Sequence, residues 1–215
     1  PSCGAALRLD GAFLRCDELM CDARASRALL YWCRALEMDG IGEKLVDQLL
    51  EQGLVASLED LYALTMEQLT SLERMGETSA GNVLSQIESS RTMPLGRFLH
   101  ALGLPGIGPE LATAMAQHFG KASSVLPWVE RALAQPGEPA FGPINDDRDK
   151  PHAQPEAIRD LCTMDGVGVV VAQAFRDGLN SRRTTVEALL QSLTVTDQAR
   201  PPSGGVLEGR SFCLT

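Results

Sequence analysis

Apolar residues recur at helical spacing around four short turns whose last glycines are Gly42, Gly76, Gly108 and Gly168. The apolar residues on the incoming side lie two and five positions before the turn: Met38, Leu72, Leu104 and Met164, then Ala35, Leu69, Ala101 and Leu161. Those on the outgoing side lie four and seven positions after it: Val46, Ala80, Ala112 and Ala172, then Leu49, Val83, Met115 and Phe175. Such spacing gives each flanking helix one apolar stripe. The pattern predicts a mainly α fold of four tandem helix-turn-helix units.

The four turns share a short motif. Three read glycine, apolar residue, glycine: turn 1 is Gly40-Ile41-Gly42, turn 3 is Gly106-Ile107-Gly108 and turn 4 is Gly166-Val167-Gly168. Turn 2, Arg74-Met75-Gly76, is a degenerate copy. We expect the central apolar residue to lie between the two helices, and both glycines to take backbone conformations closed to other residues.

The glycines predict an anion site at each outgoing helix, because they leave its N-terminal N–H groups bare and the helix dipole favours negative charge there. A phosphate oxygen would suit this site; the alternative is a purely structural hairpin, for which one glycine suffices. Turns 1 and 3 favour phosphate most, turn 4 lacks a polar or basic neighbour, and the Arg74 backbone is not expected to offer the same surface. The candidate residues are Gly40, Gly42, Gly76, Gly106, Gly108, Gly166 and Gly168.

Basic side chains near the turns are candidates for further phosphate contacts. Lys44 follows turn 1, and Arg97 and Lys121 flank the unit around turn 3; the alternative for each is a solvated surface charge. The net charge of −9 argues against binding nucleic acid by bulk electrostatics, and residues 34–133 carry seven basic and thirteen acidic side chains.

Three of the six cysteines, Cys3, Cys16 and Cys21, lie within the first 21 residues. The chain has no secretion signal and no apolar run long enough to span a bilayer, so we expect a cytoplasmic protein and a metal rather than disulfides. Structural zinc needs four ligands and only three are here. Cys33 could be the fourth, but it fits a buried helical position better. The simpler reading is that the chain was cut after a preceding cysteine.

These features divide the chain into predicted segments. Residues 1–23 form a small zinc knuckle, and residues 24–192 form the helical domain with a Pro-rich loop at 134–156. Residues 193–205 read as a linker, and 206–215 as a truncated first β-strand of a further domain.

The repeated turn resembles the helix-hairpin-helix motif of DNA repair and replication proteins. In that family, paired motifs hold phosphates of both strands across the minor groove, which positions a protein without reading sequence. Main-chain amides bind phosphate with few lysine or arginine side chains, so an acidic chain can still have DNA as its partner.

The chain resembles the C-terminal half of bacterial NAD-dependent DNA ligases. The likeness rests on the order of its features, which are a cysteine knuckle, four such motifs and the C-terminal segment Leu207-Glu208-Gly209-Arg210. Further likenesses lie in residues 40–46 and 95–120, and the last strand is similar to the start of a BRCT domain. The chain departs from the family pattern at Arg74, commonly glycine, at Thr78, commonly lysine, and in the Pro-rich loop.

The resemblance implies a nick-sealing enzyme of DNA replication and repair that uses NAD and Mg. Its adenylated lysine lies in a Lys-x-Asp-Gly motif, which this sequence lacks. The chain would therefore be an inactive, monomeric DNA-binding part that closes around nicked duplex DNA in the bacterial nucleoid, with zinc as its structural metal. Two alternatives stay open: a helix-hairpin-helix module of another repair or recombination protein, and a helical protein-interaction scaffold.

Overall fold

The computed structural model describes residues 3–10, 13–16, 21–134 and 154–198. Within these residues the helices, in chain order, are α1 Asp22–Ala35, α2 Glu43–Glu51, α3 Met66–Thr70, α4 Glu77–Ser89, α5 Leu95–Ala101, α6 Pro109–Phe119, α7 Val125–Ala134, α8 Glu156–Leu161, α9 Val169–Ser181 and α10 Arg183–Ser192. Short 3-10 helices cover Glu59–Ala63 and Ala122–Ser124. The prediction of a mainly α fold is confirmed.

Each predicted turn joins two helices that pack against each other: α1 with α2, α3 with α4, α5 with α6, and α8 with α9. The apolar stripes face inward as their spacing requires. All eight outgoing positions are buried: Val46, Leu49, Ala80, Val83, Ala112, Met115, Ala172 and Phe175. The chain therefore builds its hairpins from the residues that the periodicity identifies.

One apolar core runs through the four units, from Leu29 in α1 to Leu193 after α10. Two tryptophans are among its largest fully buried side chains, although aromatic residues are only 5% of the chain. Trp128 of α7 lies 5.5 Å from Phe175 of α9 and 5.6 Å from Phe119 of α6, between ring centroids. Helix α7, which lies outside the repeats, thereby connects the units around turns 3 and 4.

Two small sheets complete the described residues. Strands β1 (Leu7–Asp10) and β2 (Phe13–Cys16) form an antiparallel ribbon in which Leu7 pairs with Cys16. Strands β3 (Thr92–Pro94) and β4 (Thr194–Thr196) pair in parallel. The first part of the predicted linker is therefore wrong: residues 193–198 belong to the helical domain.

Other predicted segments lie outside the described residues. These are the last part of the linker, the proposed strand at 206–215, and residues 135–153 of the Pro-rich loop. In the part of the chain that is described, no helix is both long and apolar enough to cross a membrane.

Candidate nucleic-acid interface and metal centre

The first residue of each turn has a left-handed backbone. Gly40, Gly106 and Gly166 have φ of 84°, 76° and 75°, and Arg74 takes the same conformation with φ of 62°. The expectation that turn 2 cannot offer the same backbone surface is therefore wrong. Arginine tolerates the left-handed region at a cost that glycine avoids, so turn 2 keeps its geometry and differs in its side chain.

The second glycine of each turn is different, because its backbone is ordinary. Gly42, Gly76, Gly108 and Gly168 have φ between −101° and −81° and ψ between 167° and 179°, which any residue can adopt. A Cβ added to any of the four would meet nothing within 4 Å. The expectation that both glycines need special conformations is thus wrong for the second one, and neither strain nor packing within the chain explains it.

Each second glycine is the N-cap of its outgoing helix. Its carbonyl accepts the first helical hydrogen bond, for example from the Val46 N–H to Gly42 at 3.0 Å and from the Ala112 N–H to Gly108 at 2.9 Å. No side chain caps the first helical turn of α2, α4, α6 or α9. Within the part of the chain that the structure describes, the N-terminal amides of these four helices therefore have no side-chain cap, as an anion site requires.

The four helix N-termini differ in nearby charge. Glu43, Glu77 and Glu110 lie in the first helical turns of α2, α4 and α6, whereas α9 has no acidic residue there. Pro109 removes one N–H from α6. Next to turn 4 the exposed side chain is Val170, which is 44% exposed. The first helical turn of α9 therefore lacks the carboxylate that the other three carry, and the nearest acidic residue is Asp165, just before turn 4.

The central residue of the turns is structural. Ile41, Ile107 and Val167 are buried, and Met75 packs partly buried against the core, as predicted. These side chains anchor each turn between its two helices, so the amides beside them are held in place.

The units also contact one another. A Cβ added to Gly40 would lie 3.7 Å from Cγ2 of Val83 in α4, so turn 1 packs on the second unit. A Cβ on Gly178 of α9 would lie 3.0 Å from Cδ2 of Leu104, just before turn 3. Turn 1 therefore contacts unit 2 and α9 of unit 4 contacts unit 3, while α1 of unit 1 also packs on α5 of unit 3.

The predicted basic residues are placed unequally. Lys44 is exposed in the first helical turn of α2, beside turn 1. Arg97 lies at the start of α5 and donates to Glu37 at 2.7 Å, while Lys121 follows the end of α6. A helix the length of α6 spans about 16 Å, so both Arg97 and Lys121 lie at the end of their unit opposite turn 3. They flank the third unit, as the sequence predicts, and their contact with phosphate stays a prediction.

Two arginines at the junction of α9 and α10 make contacts within the chain. Arg183 donates to Glu130 and Glu187. Burial, with the charge of Arg24, lowers the pKa of Arg182, whose Nη1 is enclosed with no partner among the described residues. An enclosed Nη1 is out of reach of an external phosphate.

The β1–β2 ribbon brings three cysteines together, as the sequence predicts. The sulfur atoms of Cys3, Cys16 and Cys21 lie within 4.8 Å of one another, with 3.5 Å between those of Cys3 and Cys16. Sulfur atoms bound to one tetrahedral zinc at 2.3 Å are about 3.8 Å apart. The described residues therefore supply three thiolates in positions that fit zinc.

Cys33 does not join this cluster. It is buried in α1, and burial raises the pKa of its thiol to about 12. Since a metal needs the thiolate, Cys33 is an apolar core residue, which is the position the sequence favours.

Two contacts were missed by sequence reasoning. Leu7 and Leu9 alternate with polar residues and are followed by Gly11, a strand and turn signal that could have indicated the ribbon. Gln198, which hydrogen-bonds to Gly96 of α5 at 2.9 Å, lies just before a Pro- and Gly-rich stretch and carries no such signal.

Comparison with known proteins agrees with this geometry. Residues 34–89, which contain turns 1 and 2, match the family described as the SAM-like helix-hairpin-helix tandem. The chain is 37% identical to a DNA ligase of Synechococcus sp. (strain WH7803), 34% to one of Syntrophotalea carbinolica and 36% to one of Alkalilimnicola ehrlichii. Each alignment covers all of this chain and 29% of the relative. The resemblance inferred from sequence is confirmed, and the match fits the C-terminal part of a bacterial DNA ligase.

Proposed function

We propose that this chain is the DNA-binding part of an NAD-dependent DNA ligase, and that the amides at the N-termini of α2, α4, α6 and α9 hold phosphates of nicked duplex DNA. The observation that carries the proposal is the second glycine of each turn. Glycine is kept at four equivalent positions where neither backbone strain nor internal packing calls for it. Close approach of an external group to the main chain accounts for this choice.

The arrangement of the turns supports a duplex as the ligand. Four units, each with one uncapped helix N-terminus, would offer sites for phosphates on both strands. Amides bind any phosphate alike, so this contact is independent of base sequence. In this proposal α9 also contributes, because its first helical turn has no carboxylate and Val170 can lie against a sugar.

The sealing chemistry belongs to the rest of the longer protein. This chain has three lysines, Lys44, Lys121 and Lys150, and none lies in a Lys-x-Asp-Gly motif. NAD and Mg would act in that other part, and this chain would contribute by holding the nick in place, which lowers the entropic cost of the reaction. We therefore propose that the protein is monomeric, cytoplasmic and associated with the nucleoid, and that it acts in replication and repair.

We also propose zinc as the metal of Cys3, Cys16 and Cys21. Thiolates select zinc among the common structural metals, and zinc would fix the ribbon against the start of α1. Its role would be structural once a fourth protein ligand closes the site, because a closed tetrahedral site has no open position for a substrate.

Replacing Gly42 and Gly108 by aspartate tests the DNA proposal. Aspartate is as good an N-cap as glycine or better, so the Gly42→Asp, Gly108→Asp double variant should unfold at the same temperature or slightly higher. Its carboxylates cover the amides and repel phosphate, so the affinity for nicked duplex DNA at low salt should fall at least about tenfold. Fluorescence anisotropy measures the affinity, and circular dichroism the stability.

Gln52→Glu is the matched control, because it adds negative charge at the opposite end of α2. Its affinity should stay within about twofold of the parent chain. An unchanged affinity in the double variant would contradict the proposal. Absence of DNA binding by the parent chain at low salt would favour a protein-interaction scaffold instead.

A further inference from the structure

The segment after α10 packs across the open end of the α5–α6 hairpin, opposite turn 3. Leu193 is buried, and the Thr194 N–H donates to the Arg91 carbonyl at 2.8 Å as β4 joins β3. The Thr196 hydroxyl donates to the Met93 carbonyl at 3.4 Å. Strand β4 thus delivers the next two residues to the point where α5 begins and α6 ends.

Gln198 bridges these two helix ends. Its Oε1 accepts from the Gly96 N–H at 2.9 Å, and its own N–H donates to the Gly120 carbonyl at 2.9 Å. Gly96 lies in the first helical turn of α5 and Gly120 is the C-cap of α6, so both are groups that the helices cannot satisfy themselves. Asp197 adds a third contact by accepting from the Ala122 N–H at 3.3 Å.

The packing at this point is close. A Cβ on Gly96 would lie 2.8 Å from Oε1 of Gln198 and 3.0 Å from Cα of Thr113 in α6. Glycine at this position therefore lets the helices approach and lets the Gln198 side chain reach the amide. Both the Gln198 bridge and the contact between α5 and α6 therefore depend on the absence of a side chain at Gly96.

We propose that Gln198 is a positioning residue for turn 3, an inference that rests on the proposed function. Ile107 holds the α5–α6 hairpin at the turn, and Gln198 holds it at the other end. With both ends fixed, the angle between α5 and α6 is set, and with it the direction of the amides after Gly108. Without the bridge, α5 can shift along α6 and the amides lose their alignment with a phosphate.

A double-mutant cycle in the 215-residue chain tests this inference. Gln198→Leu keeps the side-chain size but removes the acceptor, and should lower the affinity for nicked duplex DNA about three- to tenfold. In the Gly108→Asp background, where turn 3 no longer binds, Gln198→Leu should cause no further loss. In the Gly42→Asp background it should cause the full loss, because turn 1 lies in another unit.

Two further variants separate positioning from general stability. Gln198→Glu keeps an acceptor for the Gly96 N–H and should retain most of the affinity. Gly96→Ala displaces the Gln198 side chain and also presses on the Thr113 backbone, so it should lower the affinity at least as much as Gln198→Leu, with the same dependence on Gly108. Hydrogen exchange of the Gly96 amide should accelerate in Gln198→Leu and stay slow in Gln198→Glu.

The outcomes distinguish the two proposals. If the aspartate variants of Gly42 and Gly108 bind DNA normally, the proposed function fails. If they lose affinity but Gln198→Leu does not, or loses it equally in both backgrounds, only the positioning role of Gln198 is overturned.

Discussion

At the scale of single residues, Arg74 shows what the first position of a turn demands. Its φ of 62° is slightly below the φ values of 75° to 84° that the glycines have at the same place in the other turns. Its side chain is exposed beside Glu73, with 3.3 Å between Nε and Oε1. The conformation is therefore imposed by the packing of α3 and α4, and not by any contact of the arginine itself.

Replacing Arg74 by glycine should stabilise the chain. A left-handed conformation costs a non-glycine residue about 1–2 kcal/mol, and the greater freedom of glycine when unfolded offsets part of the gain. We expect the free energy of unfolding to rise by up to about 1 kcal/mol, measured by urea denaturation. The reverse change at the equivalent place, Gly106→Arg, should lower it, and a destabilised Arg74→Gly variant would contradict the strain argument.

The residue scale also marks how far sequence reasoning reaches. The positions of the glycines and of the buried central residues follow from the repeat, because local geometry decides them. The different roles of the two glycines in a turn do not follow from the repeat. The sequence shows only that both are glycine, whereas the structure shows that Gly40 has a left-handed backbone and that Gly42 does not, and we propose that Gly42 leaves space for a ligand.

At the scale of elements, the β1–β2 ribbon has little core of its own. Leu9 and Leu14, which pair across the ribbon, are 70% and 66% exposed. A two-stranded ribbon with so little buried surface is at most marginally stable in water. We therefore propose that its order depends on a metal held by Cys3, Cys16 and Cys21.

Removing the proposed zinc should unfold this ribbon and leave the helices intact. A chelator should abolish hydrogen-exchange protection in residues 7–10 and 13–16 while the helical circular dichroism signal changes by less than about a tenth. Cys16→Ser should lower the zinc content measured by atomic absorption, whereas Cys162→Ser, at a half-buried cysteine outside the cluster, should not. Equal zinc in both variants would refute the assignment of the ligands.

Elements differ in how well sequence alone predicts them. The helices around the turns follow from apolar spacing within about ten residues. The β3–β4 pair does not, because three residues carry no periodicity and their partners lie far apart along the chain. The same distance in sequence hides the Gln198 bridge, whose donor and acceptor are 102 positions apart.

At the scale of the whole molecule, the proposed DNA binding is compatible with an acidic chain if main-chain amides supply most of the contacts to phosphate. The chain has a net charge of −9. Among the described turns and first helical turns, the basic side chains are Lys44 and Arg74. Few condensed counterions would be released by so small a number of cations.

The salt dependence of binding should therefore be shallow. Each phosphate neutralised by lysine or arginine contributes about −0.9 to the slope of log K against log salt, so Lys44 and Arg74 together predict a slope near −2. Anisotropy titrations with nicked duplex from about 50 to 200 mM salt measure it. Lys44→Gln should make the slope shallower by about one, and a parent slope steeper than about −5 would mean that side chains, not amides, dominate.

The bridge from Gln198 to Gly96 sets a lower limit on when the chain can finish folding in a cell. Synthesis adds roughly 5–20 residues per second, so about 5–20 s pass between translation of α5 and of the residue that closes its open end. Helices α5 and α6 can pair during that interval through their apolar faces. Their final crossing angle waits until β4 and Gln198 leave the ribosome, so the unit around turn 3 is completed only by residues that are translated after all four turns.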